Sequence, residues 1–292
     1  MSEAATQTQM QHAPGSFCWI ELATTDGPGA KKFYSELFGW TTHDSPVGPD
    51  MVYTMLKLNG KDVGALFQKG ETMKDTTRIM NAYHFDAIVI RSDYEGAAEE
   101  AAEVSDAPII NAGDGAGQHP TQSLLDIYTI YEKFAKIDGI KIAFVGDLKY
   151  GRTVRSLCYL LGKFKDIEVH FVAPDSLQMR QDILDYLKEH GVKYQMHSDI
   201  KEIAEIADVF YMTRAQKERM KEGEKFSADG YRITEEMLKK IRDEAIILHP
   251  LPRSNDFNEI PEELTDDPRI LIFKEAENGL FTRMALLKMI VQ

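Results

Sequence analysis

Five places in this sequence set Arg, His or Gln in the segment that follows a short, largely apolar run. Arg91 follows Ala87–Ile90. Gly113-Asp114-Gly115-Ala116-Gly117-Gln118-His119-Pro120-Thr121-Gln122 follows Pro108–Ala112. Asp147-Leu148-Lys149-Tyr150-Gly151-Arg152-Thr153 follows Ile140–Gly146. Thr213-Arg214-Ala215-Gln216-Lys217 follows Val209–Met212, and His249-Pro250-Leu251-Pro252-Arg253 follows Ala245–Leu248. If the runs are strands of an α/β protein, these segments meet at the strand carboxyl ends, where such sheets bind ligands. Glycine at 113, 115 and 117 lets backbone amides approach an anion at the start of the next helix. Guanidinium groups arriving from separate strands suit a di-anion with carboxylates. No nucleophile stands beside a base, which points to catalysis by positioning and electrostatics. Taken singly, each residue has a plainer reading. An Arg after a strand is commonly a surface ion pair, His119 is a helix cap, and His249 a loop brace. His170 and His197 read as structural.

The elements that would position these residues alternate. Residues 17–67 read β-α-β-β-β: Phe17–Ala23, a helix at Ala30–Phe38 ended by Gly39, Trp40–His43, Met51–Leu58 and Val63–Phe67. Asn59-Gly60 marks a hairpin. A charged helix is expected within Lys69–Met80. Beyond it the expected order is strand 87–90, helix 97–104, strand 108–112, helix 123–134, strand 140–146, helix 154–162, strand 168–172, helix 178–190, a short segment at 195–196, helix 200–206, strand 209–212, helix 234–241 and strand 245–248. A further strand is indicated at Leu271–Phe273, and a closing helix at Gly279–Val291. Ala87–Ile90, being continuously apolar, predicts a buried parallel strand. The whole is an α/β chain of parallel sheets with crossover helices, in two lobes divided near residue 134.

Composition narrows the partners. The 292 residues carry 34 basic and 47 acidic side chains, a formal charge of −13. That disfavours nucleic acid, so an anionic ligand needs a local basic pocket. Residues 1–68 contain four lysines and no arginine. Cys18 and Cys158 lack any metal-ligand or disulfide pattern, which suits a reducing compartment. There is no apolar run of membrane-spanning length, and residues 1–16 read as a disordered tail rather than a signal peptide. The expectation is a cytoplasmic protein without metal or cofactor.

From Lys69 onward the chain closely resembles the catalytic chain of aspartate carbamoyltransferases. The matching stretches are KGET (69–72), DAIVIR (86–91), NAGDGAGQHPTQSLLD (111–126), VGDLKYGRTVRS (145–156), YMTRAQKER (211–219), HPLPR (249–253) and ENGLFTRMALL (277–287). The resemblance implies carbamoyl transfer from carbamoyl phosphate to L-aspartate, a step of pyrimidine biosynthesis. It implies that Arg91, His119 and Gln122 face carbamoyl phosphate as catalytic residues. Arg152, with Thr153, and Arg214, with Gln216 nearby, would hold the aspartate carboxylates. Lys69 would reach a neighbouring subunit's site, and the Pro250-Leu251 carbonyls would receive the substrate amines. A homo-oligomer, with a trimer favoured, is implied as well.

The family's Ser-Thr-Arg-Thr-Arg phosphate loop occurs nowhere in this sequence. Asp75-Thr76-Thr77-Arg78 falls inside a predicted helix and does not replace it. Residues 17–68 instead resemble one βαβββ module of the glyoxalase/bleomycin-resistance superfamily, through FCWIELATTD (17–26), AKKFYSELFGW (30–40), MVYTMLKLNG (51–60) and VGALF (63–67). Glu21 has no partners there for a metal site. The domains expected are therefore the tail 1–16, this module at 17–68, a partial carbamoyl phosphate lobe at 69–134 with the closing helix 279–292, and an aspartate lobe at 135–278. Two other functions remain open: an inactive fusion or chimera acting as a binding or assembly protein, and small-ligand binding by the first module.

Overall fold

A computed structural model describes residues 20–24, 26–48, 51–68, 72–214, 230–254 and 256–291. Lys69 and Gln216, and the first part of the strand expected at 17–23, lie outside them. The chain divides into two compact units, Met1–Thr72 and Met73–Gln292.

The first unit runs β1 (Glu21–Thr24), α1 (Gly27–Phe38), β2 (Thr41–Gly48), β3 (Met51–Leu58) and β4 (Lys61–Gln68). Asp26 caps α1, accepting a hydrogen bond from the Gly29 amide at 2.9 Å. Gly39 ends the helix in the left-handed region. Asn59 and Gly60 have φ of 53° and 78°, the pair of positive values that a type I′ hairpin needs. The sheet order is β1-β4-β3-β2, with β1 parallel to β4 and the other pairs antiparallel. Leu56, Ala65 and Leu66 are buried on it.

The second unit begins with α2 (Met73–Asn81), β5 (Ile88–Ser92), α3 (Ala97–Ala102), β6 (Ile109–Asp114) and α4 (Pro120–Phe134). It continues with β7 (Lys141–Val145), α5 (Arg152–Leu161), β8 (Glu168–Val172), α6 (Gln181–Glu189), β9 (Lys193–His197) and β10 (Val209–Met212). It closes with α7 (Glu235–Leu238), β11 (Ile246–Leu248) and α8 (Ile272–Ile290). Asp75 and Arg78 lie within α2, where they pair with each other at 3.0 Å.

Five strands form one parallel sheet in the order β11-β10-β7-β8-β9. Period-two alternation sends Ile142 and Phe144 to one core, with Phe171, Leu157 and Ile183. Ala143 and Val145 point to the other, with Phe210, Ile203 and Met237. Burial on both faces is why β10, β11 and most of β7 read as continuous apolar runs, whereas the edge strand β9 is largely exposed and polar.

β5 and β6 pair in parallel as a separate two-stranded sheet. Here one expectation is corrected. The 87–90 run is a parallel strand but not a buried one, because β5 alternates and Val89 is 58% exposed. β5 has one strand neighbour among the described residues, and its side chains alternate between half-buried and exposed.

Three further corrections concern boundaries. Leu271–Phe273 is not a strand: Ile270 makes a single bridge to Ile247, and the helix starts at Ile272. The closing helix is therefore longer than 279–292. Gly279 reads as its start but lies mid-helix, where a Cβ would stand 3.1 Å from Leu125 Cδ2 and closer still to the Arg283 guanidinium. Its smallness lets α8 approach α4. The helix expected at 200–206 is only a 3-10 turn, Ile200–Ile203, closed by a capping box between Asp199 and Glu202.

Replacing Gly279 by Leu should overfill the α4–α8 contact. A loss of about 1–3 kcal/mol is expected in urea unfolding. Unchanged stability would show that α8 does not pack on α4 through this face.

Candidate active site

The glycine loop after β6 is built around Asp114. Its carboxylate accepts from the amides of Gly96, at 2.9 Å, and Gln118, at 2.5 Å. The loop delivers the chain to His119, the residue before α4. His119 occupies the cap position, yet its side chain makes no capping hydrogen bond. The cap reading of this residue is thereby set aside. Its backbone amide instead donates to Ser156 Oγ on α5 at 2.7 Å, and Ser156 donates to Gln118 Oε1 at 2.6 Å. The start of α4 is thus fastened to α5 one turn into that helix.

Two arginines of α5 complete the fastening. Arg152, half-buried, donates to the Gly115 carbonyl at 3.1 Å. Gly113, at φ 115°, makes room for it, since a Cβ there would lie 2.8 Å from the guanidinium carbon. Arg155 is only 4% exposed. It donates to the Ala116 carbonyl at 2.7 Å, to Glu95 at 3.2 Å and to Asp182 at 3.3 Å. The VGDLKYGRTVRS stretch therefore holds one arginine beside the glycine loop and one that braces it, a division that spacing alone does not reveal.

From β5, Arg91 donates to the Ala112 carbonyl on β6 at 3.3 Å and is otherwise exposed. His119 is 8% exposed, and burial lowers its pKa to about 4, helped by the charges of Arg152, Arg91 and Arg283 and opposed by Asp114. The ring is therefore uncharged at neutral pH. Three guanidinium charges acting on one neutral imidazole make a local positive field in a chain of charge −13. Arg283 is the member the sequence reading missed. It stands in the quoted stretch ENGLFTRMALL, and only its place on α8 gives it meaning.

Gln122, one turn into α4, does not point its amide at open space. It donates to Asp126 Oδ1 at 2.9 Å. Thr153 is hydrogen-bonded to the Tyr211 hydroxyl, and that hydroxyl donates to Asp126 Oδ2 at 2.9 Å. Arg214 stands two residues beyond β10 and is half-buried. The Pro250-Leu251 turn follows β11. Leu251 holds a left-handed φ of 51°, which is costly for a non-glycine residue. Its amide donates to His249 Nδ1 at 2.9 Å, while His249 Nε2 pairs with Glu259 at 2.9 Å. Those partners make His249 the neutral Nε2–H tautomer and a loop brace. His170 and His197, read as structural, bond to each other at 3.0 Å away from this cluster. Among the described residues there is no group of three His, Cys, Asp or Glu that could hold a metal ion. Nor, among them, is any helix long and apolar enough to cross a membrane.

Comparison with known proteins sets this geometry in a family. Residues 138–290 match the Asp/Orn binding domain of aspartate/ornithine carbamoyltransferases. Residues 50–132 match their carbamoyl-P binding domain, a match that begins upstream of Lys69. The chain belongs to the aspartate/ornithine carbamoyltransferase family. It is 49% identical over 228 residues to the chloroplastic aspartate carbamoyltransferase of Arabidopsis thaliana, covering 76% of this chain and 57% of that protein. The chain thus spans less than two thirds of the length of such plant relatives. The catalytic subunit 2 of Shewanella halifaxensis is 46% identical, covering 78% of this chain and 72% of its own. The Trypanosoma cruzi aspartate transcarbamoylase structure, in complex with carbamoyl phosphate and aspartate, is 41% identical with a TM-score of 0.69. It matches 75% of this chain and 71% of that one. The M. Jannaschii catalytic subunit is 42% identical with a TM-score of 0.68, over 78% and 76% of the two chains.

The lowered pKa of His119 has a consequence for stability. Between about 4 and the ordinary 6.5, the unfolded chain takes up a proton that the folded chain refuses. The stability tied to the neutral ring is complete above 6.5 and is lost as pH falls toward 4. Urea unfolding at stepped pH should show this fall in the parent protein and a shallower one in His119→Gln. Equal slopes would contradict the buried neutral ring.

Proposed function

We propose that this chain transfers the carbamoyl group of carbamoyl phosphate to the α-amine of L-aspartate. The observation that carries the reading is the neutral, buried His119 set among Arg91, Arg152 and Arg283 at the glycine loop. An uncharged imidazole can donate a hydrogen bond to a carbonyl, and cationic neighbours oppose its protonation. Thr121 Oγ lies 3.4 Å from His119 Nδ1. With that hydroxyl donating, Nε2 carries the proton.

In the reaction, the amine of aspartate attacks the carbamoyl carbon. A C–N bond forms, the C–O bond to phosphate breaks, and the amine releases a proton as phosphate leaves. Arg91 and His119 stabilise the oxyanion that develops on the carbonyl oxygen. Arg152 and Arg214 take the aspartate carboxylates as charge-assisted partners, with Thr153 supporting. Gln122 and the Pro250 and Leu251 carbonyls orient the amino groups. Gln216 joins the aspartate side, and Lys69 serves a neighbouring subunit's site, which requires a homo-oligomer with a trimer favoured. We assign residues 69–134 and the closing helix to the carbamoyl phosphate side, 135–278 to the aspartate side, and 17–68 to a glyoxalase-like module in place of the family's first segment. The absence of a Ser-Thr-Arg-Thr-Arg stretch favours one rival, a binding protein without phosphate affinity.

A direct assay for carbamoyl-aspartate separates the two. Product formation is expected, falling by on the order of a hundredfold or more in Arg152→Ala. No product above the Arg152→Ala background would leave the binding protein as the reading.

A further inference from the structure

Behind the candidate site lie two carboxyl groups with almost no contact with solvent. Asp126 on α4 is 0% exposed and Glu275 on α8 is 1% exposed. The two carboxyl groups lie close enough for a hydrogen bond to pass between them. Two carboxylates cannot make that bond, since both only accept; one of them must hold a proton.

The surrounding donors decide which. Asp126 receives two, the Gln122 amide on Oδ1 and the Tyr211 hydroxyl on Oδ2, both at 2.9 Å. Glu275 Oε2 receives the His249 backbone amide at 2.7 Å, and among the described residues Glu275 Oε1 receives none. The oxygen without a donor is the one that carries hydrogen. We propose that Glu275 is a neutral carboxylic acid whose proton is donated to an ionised Asp126, and that this shared proton positions Gln122 on one side and the His249-Pro250-Leu251 turn on the other.

The chain of contacts is continuous. Gln122 joins Asp126, Asp126 joins Glu275, Glu275 joins the His249 amide, and the His249 ring joins the Leu251 amide. It links a residue of the glycine-loop helix to the strained turn after β11. Helix spacing makes the arrangement possible: Gln122 and Asp126 are four residues apart on α4, and Glu275 shares the buried face of α8 with Ile272, Asn278 and Gly279. Burial raises both carboxyl pKa values, and for Glu275 the Asp126 charge raises it further. The other charged or titratable groups that bear on the pair are Tyr211 from β10 and Arg283 from α8. Tyr211 is itself pushed up by burial and by the Asp126 charge, so it stays a donor. Neither residue touches the reacting atoms in this account; both are positioning residues. Asp126 fell within the quoted 111–126 stretch without a role, and Glu275 fell outside every stretch.

The test reads the proton itself. Infrared difference spectra of the whole protein should show a protonated-carboxyl carbonyl stretch at neutral pH that disappears in Glu275→Gln. That variant keeps a donor toward Asp126 and an acceptor for the His249 amide, so its melting temperature should match the parent's. Its kcat should stay within about threefold, and any alkaline fall in kcat due to the pair should flatten, because an amide does not titrate. Glu275→Leu removes donor and acceptor together and should lose on the order of a hundredfold in kcat with a smaller change in KM. A protonated-carboxyl band surviving in Glu275→Gln would overturn the assignment. So would a loss in Glu275→Gln equal to that in Glu275→Leu. The kinetic arms rest on the carbamoyl-transfer reading, whereas the infrared arm does not. A parent protein with the band but no transferase activity would sink that reading and leave the shared proton standing.

Discussion

The hydrogen bond from the His119 amide to Ser156 Oγ is the contact on which the arrangement turns. α4 follows a strand of the two-stranded sheet and α5 follows a strand of the five-stranded one. Ser156, one turn into α5, ties that helix to the start of α4, and Arg155 secures the loop by holding Ala116, Glu95 and Asp182 at once. Arg152 then lies against a loop whose Gly113 leaves it space. Backbone amides and helix dipoles at both starts add to the same positive field.

That field is what an acidic chain would need in order to hold an anion. The net charge of −13 is spread over the whole sequence, while Arg91, Arg152 and Arg283 act together on one buried ring. The same charges keep His119 neutral, so a donor rather than a further cation stands at the glycine loop. Preorganised donors of this kind lose little in rearranging during reaction. The buried carboxyl pair behind them extends the same logic, tying α4, α8 and β10 to the turn after β11 through polar contacts that admit few alternative geometries.

The parallel sheet was legible in the sequence because Ile142–Val145 and Val209–Met212 are buried on both faces and apolar throughout, while Glu168–Val172 keeps three apolar residues around the buried His170. The Asn59-Gly60 hairpin was legible for a local reason, the two positive φ values. The errors fall where tertiary contacts override local pattern. Val89 looked buried because its run is apolar, but β5 alternates and Val89 falls on its exposed side. Gly279 looked like a helix start because glycine is rare inside helices, yet close packing on Leu125 places it there. Of the site, the strand-end arginines and His119 were visible from their spacing. Ser156, Arg155, Arg283 and Glu275 were not. Their roles arise from which helices meet, and nothing in their immediate neighbours announces it.

Titration calorimetry with N-(phosphonacetyl)-L-aspartic acid tests the central claim most directly, because one molecule carries both a phosphonate and the aspartate carboxylates. The account predicts saturable binding to the whole protein that weakens at least tenfold in Arg152→Ala and in Arg91→Ala. Absence of binding, or binding indifferent to both substitutions, would contradict it.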